Sequence, residues 1–350
     1  MHFGTRSATK SGLNRTRIET IHRNMGFVAS KQEGSHLLRS VMKKLCIAVL
    51  LLWATAGWAM PIASSARSMV PAEVQQLIGV DYRALKDSPT AQQLKEQVLP
   101  ADLKSFEASL KGIGIDSEHD LDQLNFVSFR TPKVGIQVVC VAQGSFSAKA
   151  VLKKLKLKKI SSVKYGTANV YPMDSGFVMT FLDDNTLAFG TEAALHSALD
   201  ARDGKRLSLD SNPQMAEQMA SVDGSPVWSI LDQEGTQAMM HSALGDAAKV
   251  ADYDSIKKRI LASRYTMSFQ SGVNFDLSVL TSDSMTAGTL SSLVKAGILY
   301  KKLNATPSEK TALDATTVDS DSSTLLLHFK TDDQKFQALM KSPLFAAVSH

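Results

Sequence analysis

The densest group of potential metal ligands in the sequence is the acidic stretch Asp116–Asp122, which reads Asp-Ser-Glu-His-Asp-Leu-Asp. Carboxylates at alternate positions are typical of the first half of an EF-hand calcium loop. Such a loop needs glycine at its sixth position and a bidentate glutamate at its twelfth, where this chain has Leu121 and Val127. Asp319-Ser-Asp321, a second possible calcium loop, departs from the EF-hand pattern in the same way and has fewer acidic residues. We therefore interpret Asp116–Asp122 as an acidic turn that caps a helix, and we predict no metal site.

The histidines and the standard catalytic motifs give no active site either. No G-x-S-x-G elbow, Walker A loop or G-x-G-x-x-G fingerprint occurs in the chain. No histidine after residue 60 stands within four residues of another histidine or of a cysteine, as a zinc site would require. These histidines are His119, His196, His241, His328 and His350. The sequence thus predicts no catalytic residue, no metal ligand and no cofactor, and it favours a protein that is not an enzyme.

Residues Met42–Ala59 have the three-part layout of a secretory signal. Lys43 and Lys44 form the positive start, residues 45–53 are an unbroken apolar run, and small residues before the predicted cleavage point suit signal peptidase. The apolar run is shorter than the about 20 residues that a membrane-spanning helix needs. We therefore predict a periplasmic or secreted protein. The alternative is an inner-membrane anchor formed by an uncleaved 42–59 segment.

Residues 1–41 are polar, basic and without apolar periodicity. We expect them to be disordered, or to reflect a gene start placed too far upstream, with Met42 as the true first residue. Residues 1–59 hold nine Lys or Arg and two acidic residues, out of 39 and 34 in the whole chain. The remainder therefore has a formal charge near −2 instead of +5, and net charge gives no support to a nucleic-acid partner.

Cys140 is the one cysteine beyond the predicted signal, so no internal disulfide is expected. It lies in the apolar run Ile136–Ala142. In such a run a thiol behaves as a small hydrophobic side chain, and we predict a buried Cys140 rather than a nucleophile.

The one concentrated basic stretch beyond residue 59 is Lys149–Lys159. At helical spacing Val151, Leu152 and Leu155 face the core, while the lysines face solvent. An amphipathic helix accounts for this pattern without any ligand, and a site for a membrane surface or a polyanion is the alternative. Aromatic residues are not interleaved with the lysines, so we predict no nucleic-acid binding.

Strand and helix patterns alternate along the chain in two similar rounds, each reading strand, helices, hairpin, helix, strands, helix. Four strands end in a Ser, Thr or Asp cap that begins a helix. The predicted strands are Val74–Val80, Asn125–Arg130, Val134–Ala142, Val163–Pro172, Phe177–Leu182, Thr186–Gly190, Val227–Leu231, Arg264–Gln270, Val273–Leu280, Ala312–Val318 and Ser323–Lys330.

This repetition predicts an α+β protein of two tandem similar lobes, at residues 70–201 and 226–345. Each lobe is expected to be a mostly antiparallel sheet with helices packed on one face. Residues 202–225 are rich in Asp, Ser, Gly and Pro, so we interpret them as a linker with a short helix and few core contacts.

Three stretches carry a resemblance to a known family. They are Val70-Pro-Ala-Glu leading into Ile78-Gly-Val-Asp, Gly114-Ile-Asp followed by Asp120-Leu-Asp, and Phe181-Leu-Asp-Asp-Asn-Thr-Leu-Ala-Phe-Gly190. Over residues 70–200 the layout resembles exported bacterial proteins of the DUF3352 type. The resemblance implies export and supplies no catalytic residue.

We therefore predict an exported envelope protein that binds or scaffolds and is not an enzyme, with a protein or a small molecule of the cell envelope as its partner. Two alternatives stay open. A carrier of an apolar ligand would show a large apolar cavity between sheet and helices. An exported hydrolase would gather a histidine and acidic residues from distant segments in one pocket.

Overall fold

One antiparallel sheet of twelve strands runs through the part of the chain that the computed structural model describes, residues 62–349 apart from 133, 174–175 and 245–252. The predicted signal at 42–59 and residues 1–41 lie outside the described residues. The strands are β1 (Val74–Asp81), β2 (Leu121–Thr131), β3 (Gly135–Gly144), β4 (Val163–Tyr165), β5 (Ala168–Pro172), β6 (Val178–Phe181), β7 (Thr186–Gly190), β8 (Val227–Leu231), β9 (Ile260–Ser268), β10 (Val273–Thr281), β11 (Thr316–Asp321) and β12 (Thr324–Thr331). Their order across the sheet is β11-β12-β10-β9-β8-β1-β2-β3-β7-β6-β5-β4.

Helices occupy most of the connections between the strands. They are α1 (Ser64–Ser68), α2 (Tyr82–Leu85), α3 (Pro89–Val98), α4 (Ala101–Gly112), α5 (Ala148–Leu157), α6 (Glu192–Arg202), α7 (Pro213–Ala220), α8 (Gln233–Leu244), α9 (Tyr253–Lys257), α10 (Ser284–Leu303), α11 (Pro307–Asp314), α12 (Asp333–Met340) and α13 (Pro343–Ser349). A 3₁₀ turn at Leu209–Ser211 precedes α7. The prediction of an α+β protein with antiparallel strands is confirmed.

Four strand-to-helix transitions are fixed by side-chain caps. Ser147 accepts a hydrogen bond from the backbone at the start of α5, and Thr191 does the same for α6. In the second half of the chain the corresponding caps are Asp283 at α10 and Asp332 at α12. Each cap satisfies a backbone N–H group that the first turn of a helix leaves without a partner.

The two halves of the chain place their strands in the same sequence. The first half runs β1-β2-β3-β7-β6 outward from the middle of the sheet, and the second half runs β8-β9-β10-β12-β11. The first half adds β5 and β4 at its edge. In both halves the third strand therefore pairs with the last strand, and the helix that follows the third strand bridges the gap.

The structure corrects the prediction of a separate sheet in each lobe, because β1 and β8 pair and join all strands into one sheet. Gly79 of β1 stands opposite Trp228 of β8. A Cβ atom on Gly79 would lie 2.3 Å from the indole ring, so only glycine leaves room for the tryptophan here. Hydrogen bonding between these first strands leaves no sheet edge between the halves.

Successive residues of a strand point to opposite sides of the sheet, which gives two faces. Face A carries residues such as Leu77, Val139 and Trp228, and face B carries Ile78, Cys140 and Leu277. In the first half both faces are covered. Face A packs against α1, α6 and α7 in one core, and face B packs against α4 and α5 in another.

In the second half α7 still covers face A of β8, where Trp228 and Ile230 are buried, whereas β10, β12 and β11 have described helices against face B only. Buried residues of α8, α10 and α12 pack there against Leu325, Val279 and Phe329. The same strands present mostly polar, at least partly exposed side chains on face A, and none of these belongs to a described hydrophobic core. We call this surface the open face; its residues are Asn274, Asp276, Ser278, Thr317, Asp319, Leu326, His328 and Lys330.

The prediction that helices pack on one face therefore holds for β10, β12 and β11 and is wrong for the first half. The reason is visible in β3, where residues 139–142 are all buried and apolar. A strand buried on both sides has a continuous apolar run instead of an alternating one.

Residues 202–225, predicted as a linker with few core contacts, instead help to cover face A. The short helix is present as α7, but Leu209, Met215 and Met219 are fully buried in the core of the first half. Exposed polar residues such as Asp210, Gln214 and Glu217 stand between them, so composition alone concealed the apolar positions.

Candidate functional site

The acidic stretch 116–122 forms the turn between α4 and β2, so it does not cap a helix as predicted. Asp116, Glu118 and His119 bring one ligand atom each within 4.8 Å of one another, the one such group of three among the described residues. The Asp116 carboxylate already accepts a hydrogen bond from the backbone of Glu118 at 3.1 Å. Lys111 lies 3.3 Å from its second oxygen.

These contacts lower the pKa of Asp116, with the Glu118 backbone hydrogen bond as the main cause. Asp120 closes the turn by accepting a hydrogen bond from the backbone of Asp116 at 2.8 Å. The carboxylates therefore stabilise the turn itself, and Glu118 and His119 are exposed. A partly exposed Asp116 beside a lysine, with two exposed neighbours, does not supply the buried, preorganised oxygen ligands that a calcium site needs.

The histidines do not converge. His196 stacks on the ring of Tyr165, with the ring centroids 3.6 Å apart, and His241 lies 6.0 Å from the ring of Tyr253. His119 is in the acidic turn, and His350 lies outside the described residues. None of the described histidines therefore shares a site with another.

His328 and Asp276 form the arrangement closest to a catalytic pair. They lie opposite each other on β12 and β10, in the open face, with His328 Nδ1 2.5 Å from Asp276 Oδ1. Thr317 stands beside them on β11, but its hydroxyl donates weakly to the backbone carbonyl of His328 at 3.4 Å. No described nucleophile is bonded to the imidazole, so the pair does not form a catalytic triad.

Sequence reasoning missed an ion-pair network where the halves meet. Arg130 of β2 binds both carboxylate oxygens of Asp232, at 2.5 and 3.1 Å, and its Nε lies 2.8 Å from Glu234. The hydrogen bond with Asp232 is the main cause of the raised pKa of Arg130. Asp232 also accepts from the backbone of Gly235 at the start of α8. A bidentate pair that also caps a helix is typical of a structural contact.

Cys140 is buried in the core between face B, α4 and α5. Burial raises the pKa of its thiol far above the ordinary range. A thiol in this environment stays protonated and inert.

Polar side chains lie buried on face A of the first half. Asn125, Gln143 and Thr186 each have a buried side-chain oxygen without a hydrogen-bond partner. Gln143 and Thr186 stand opposite each other on β3 and β7. A polar group left without a partner in a core costs about 1–3 kcal/mol.

The basic stretch forms α5 and the turn after it. Val151 and Leu155 are buried as predicted, whereas Leu152 is on the exposed side of the helix. The error arises because the buried stripe of α5 is narrow: it runs through Ala148, Val151 and Leu155, and Leu152 lies at its margin.

Two grooves on the surface are open to solvent. One, of about 470 Å³, lies between α3 and α12 and is lined mainly by glutamines such as Gln93 and Gln337. The other, of about 560 Å³, lies at the start of α5 and contains Ser145, Lys149 and Asp184. Neither has the enclosed apolar lining that a carrier of an apolar ligand needs.

No family model and no curated protein sequence matches the chain. Among solved structures, crystal form I of TP0453 is similar at 8% identity and a TM-score of 0.44, over 81% of this chain and 97% of that chain. Crystal form III of TP0453 gives 7% identity and a TM-score of 0.43, over 78% and 96% of the two chains. Because these TM-scores lie below 0.5, we infer neither fold nor function from TP0453. None of the described helices has the length and apolar character to cross a membrane.

Proposed function

We propose that the chain is an exported protein of the cell envelope that works by binding a protein partner, and that the open face is its binding surface. The observation that carries this proposal is the uneven covering of one continuous sheet. Face A is packed under α1, α6 and α7 over the first half and has no described hydrophobic cover over β10, β12 and β11. A partner could supply the missing layer.

The size of the open face suits a protein better than a small molecule. With strands about 4.8 Å apart and about 3.3 Å per residue, the three strands β10, β12 and β11 cover about 360 Å² in projection. A standard protein interface buries about 800 Å² on each side. The surface mixes charges of both signs, with Asp276, Asp319 and Lys330 on the same face as the exposed Leu326.

The chemistry of the described residues favours binding over catalysis. The His328–Asp276 pair lacks a bonded nucleophile, the Asp116 carboxylate is engaged within its own turn, and Cys140 is buried. A site for hydrolysis would need a nucleophile, a base and an oxyanion donor held together.

Export is part of the proposal and rests on the sequence of residues 42–59. Periplasmic or secreted location, rather than an inner-membrane anchor, follows if this segment is removed. N-terminal sequencing of the protein from the envelope fraction should give a start near Met60. A mature protein that still contains residues 45–53 would favour the anchor.

We also propose that the two halves arose by duplication and that the chain is related to the DUF3352 type. The shared strand order, with the third strand paired to the last in each half, supports the duplication. The helices after the third strands, α5 and α10, also pack on the same face.

The binding proposal is tested by placing an arginine on the open face. Leu326→Arg should release the chain from a complex larger than itself when envelope extracts are separated by native electrophoresis. Leu303→Arg, on an exposed leucine of α10, is the matched control and should leave the complex intact. A wild-type chain that migrates alone, or equal effects of both variants, would contradict the proposal.

A further inference from the structure

We propose that the lysine-rich side of α5 and the turn after it bind an anionic membrane surface. Residues 145–173 contain seven lysines and no acidic residue. All seven are exposed, and no described carboxylate forms an ion pair with them. They are Lys149, Lys153, Lys154, Lys156, Lys158, Lys159 and Lys164. This inference goes beyond the proposed function, because α5 lies on face B, away from the open face.

Two of these lysines have a structural role. The ammonium group of Lys154 packs against Gly114, where an added Cβ would collide with it, and that of Lys158 lies near Gly112. Both glycines are at the carboxyl end of α4, where free carbonyl groups favour a positive charge. The remaining lysines have no such partner, so their charge is available to a ligand.

The outermost stripe of α5 combines charge and apolar surface. Ala148, Val151 and Leu155 are buried, and Lys149, Lys153 and Leu157 form a line at four-residue spacing on the opposite side. Leu157 is 75% exposed, although a leucine costs free energy in water. Val163, in the edge strand after the turn, is 69% exposed.

Exposed leucine and valine among lysines favour a lipid surface over a soluble polyanion. At a bilayer, an apolar side chain enters the boundary between headgroups and acyl chains while lysines remain at the headgroups. A polyanion would pair with the lysines and gain nothing from Leu157. The charge is local, since the chain beyond residue 59 has a formal charge near −2.

The lysine side of the proposal is tested by sedimentation of the full-length chain with phosphatidylcholine vesicles, with and without phosphatidylglycerol. Any contribution from the N-terminal segment is common to all variants. Each lysine near an anionic surface contributes about fivefold in partitioning, so Lys149→Gln with Lys153→Gln and Lys156→Gln should lose about a hundredfold. The control replaces Lys86, Lys310 and Lys341, which are equally exposed, with glutamine and should lose little.

The apolar side is tested by Leu157→Ala, which should weaken partitioning about fivefold to tenfold. Leu207→Ala, at a leucine that is 65% exposed elsewhere, is its control and should have no effect. Binding of each variant to immobilised heparin separates the two ligand classes, because Leu157→Ala should leave heparin binding unchanged.

Three results would overturn the proposal. One is binding to vesicles that does not depend on phosphatidylglycerol. Another is equal loss in the two lysine variants, which would show a general charge effect. The third is loss of heparin and vesicle binding by the α5 lysine variant with no effect of Leu157→Ala, which would identify a site for a soluble polyanion instead.

Discussion

The two halves of the sheet share a strand order but differ in how they are covered. The first half lies between two layers of helices, whereas β10, β12 and β11 of the second half have described helices on face B only. The burial pattern of individual strands shows this difference. Residues 139–142 of β3 are all buried, whereas β12 alternates between buried Leu325 and exposed Leu326. In an antiparallel strand, a continuous apolar run therefore indicates that both faces are covered, and an alternating pattern indicates that one face is covered.

The two halves also differ in whether face A can bind another molecule. In the first half a polar residue on face A is enclosed, and its hydrogen bonds must be satisfied inside the protein. In the second half the same face meets solvent, so it can accept a partner without rearranging a core. The open face and the covered face can therefore be distinguished by substitution.

The largest expected difference is between two carboxylates, one placed on face A of the third strand of each half. Val141→Asp should lower the free energy of unfolding by more than about 4 kcal/mol, because Val141 is fully buried and an unpaired charge there is very unfavourable. Ser278→Asp, on β10, should change it by no more than about 0.5 kcal/mol. Urea unfolding measures both, and equal losses would refute the difference in covering.

The joint between the halves is tested by Gly79→Ala. The new Cβ would press on Trp228, and overpacking of this kind should cost about 2 kcal/mol. Gly297→Ala is the control: this glycine lies in α10 with no atom within 4 Å of an added Cβ, so alanine should stabilise by about 0.5–1 kcal/mol. Thermal unfolding gives both values. A harmless Gly79→Ala would mean that β1 and β8 do not pack as closely as described.

Removing an unpaired hydroxyl from the covered half should increase stability. Thr186→Val keeps the shape of the side chain and suits a strand, so a gain of about 1 kcal/mol in unfolding free energy is expected. Thr317→Val on the open face should have almost no effect, since its hydroxyl is exposed. A loss of stability in Thr186→Val would show that the hydroxyl has a hydrogen-bond partner.

The helix caps should make the second half the acid-sensitive one. The backbone hydrogen bond from Thr286 is the main reason why the pKa of Asp283 falls from 3.8 to about 2. A lowered pKa stabilises the fold above about pH 4, and the contribution is lost as the pH falls through about 2. Amide hydrogen exchange at the start of α10 should accelerate over this range, and Asp283→Asn should abolish the dependence. The start of α6, capped by neutral Thr191, should not respond.

The smallest expected effect is that of metal ions on the turn at 116–122, which has no counterpart among the described residues of the second half. Calcium or zinc should leave the melting temperature unchanged, because the Asp116 and Asp120 carboxylates are hydrogen-bonded within the turn and Glu118 and His119 are exposed. A metal at 100 times its Kd would add about 2.7 kcal/mol to the free energy of unfolding. A clear rise that Asp116→Asn removes would establish a metal site.

Local signals in the sequence predicted most of the elements, and the errors have local causes. Val163–Pro172 was predicted as one strand, but Gly166 adopts φ of +57° and divides it into β4 and β5. Helix α11 was missed, although Thr306-Pro-Ser-Glu309 is a readable capping box with proline in the first turn. Both errors could be avoided by weighting turn and cap residues above hydrophobic runs.

Only one of the two candidate surfaces could be predicted from the sequence. The lysines of α5 stand together in the sequence, so their helix could be predicted from spacing. The open face could not, because Asp276 and His328 are 52 positions apart and meet only through the pairing of β10 with β12. The Arg130–Asp232 pair spans 102 positions and gives no signal at all in a single sequence.

The sequence by itself determined the α+β class, the antiparallel hairpins and the capped helices, because apolar periodicity and caps act over a few neighbouring residues. The tertiary structure alone decided that β1 and β8 join the halves into one sheet, and that Leu209, Met215 and Met219 cover face A of the first half and of β8 but not of β10, β12 and β11. Strand pairing and helix packing depend on contacts between distant residues. Two halves with the same order of elements can therefore bury different faces.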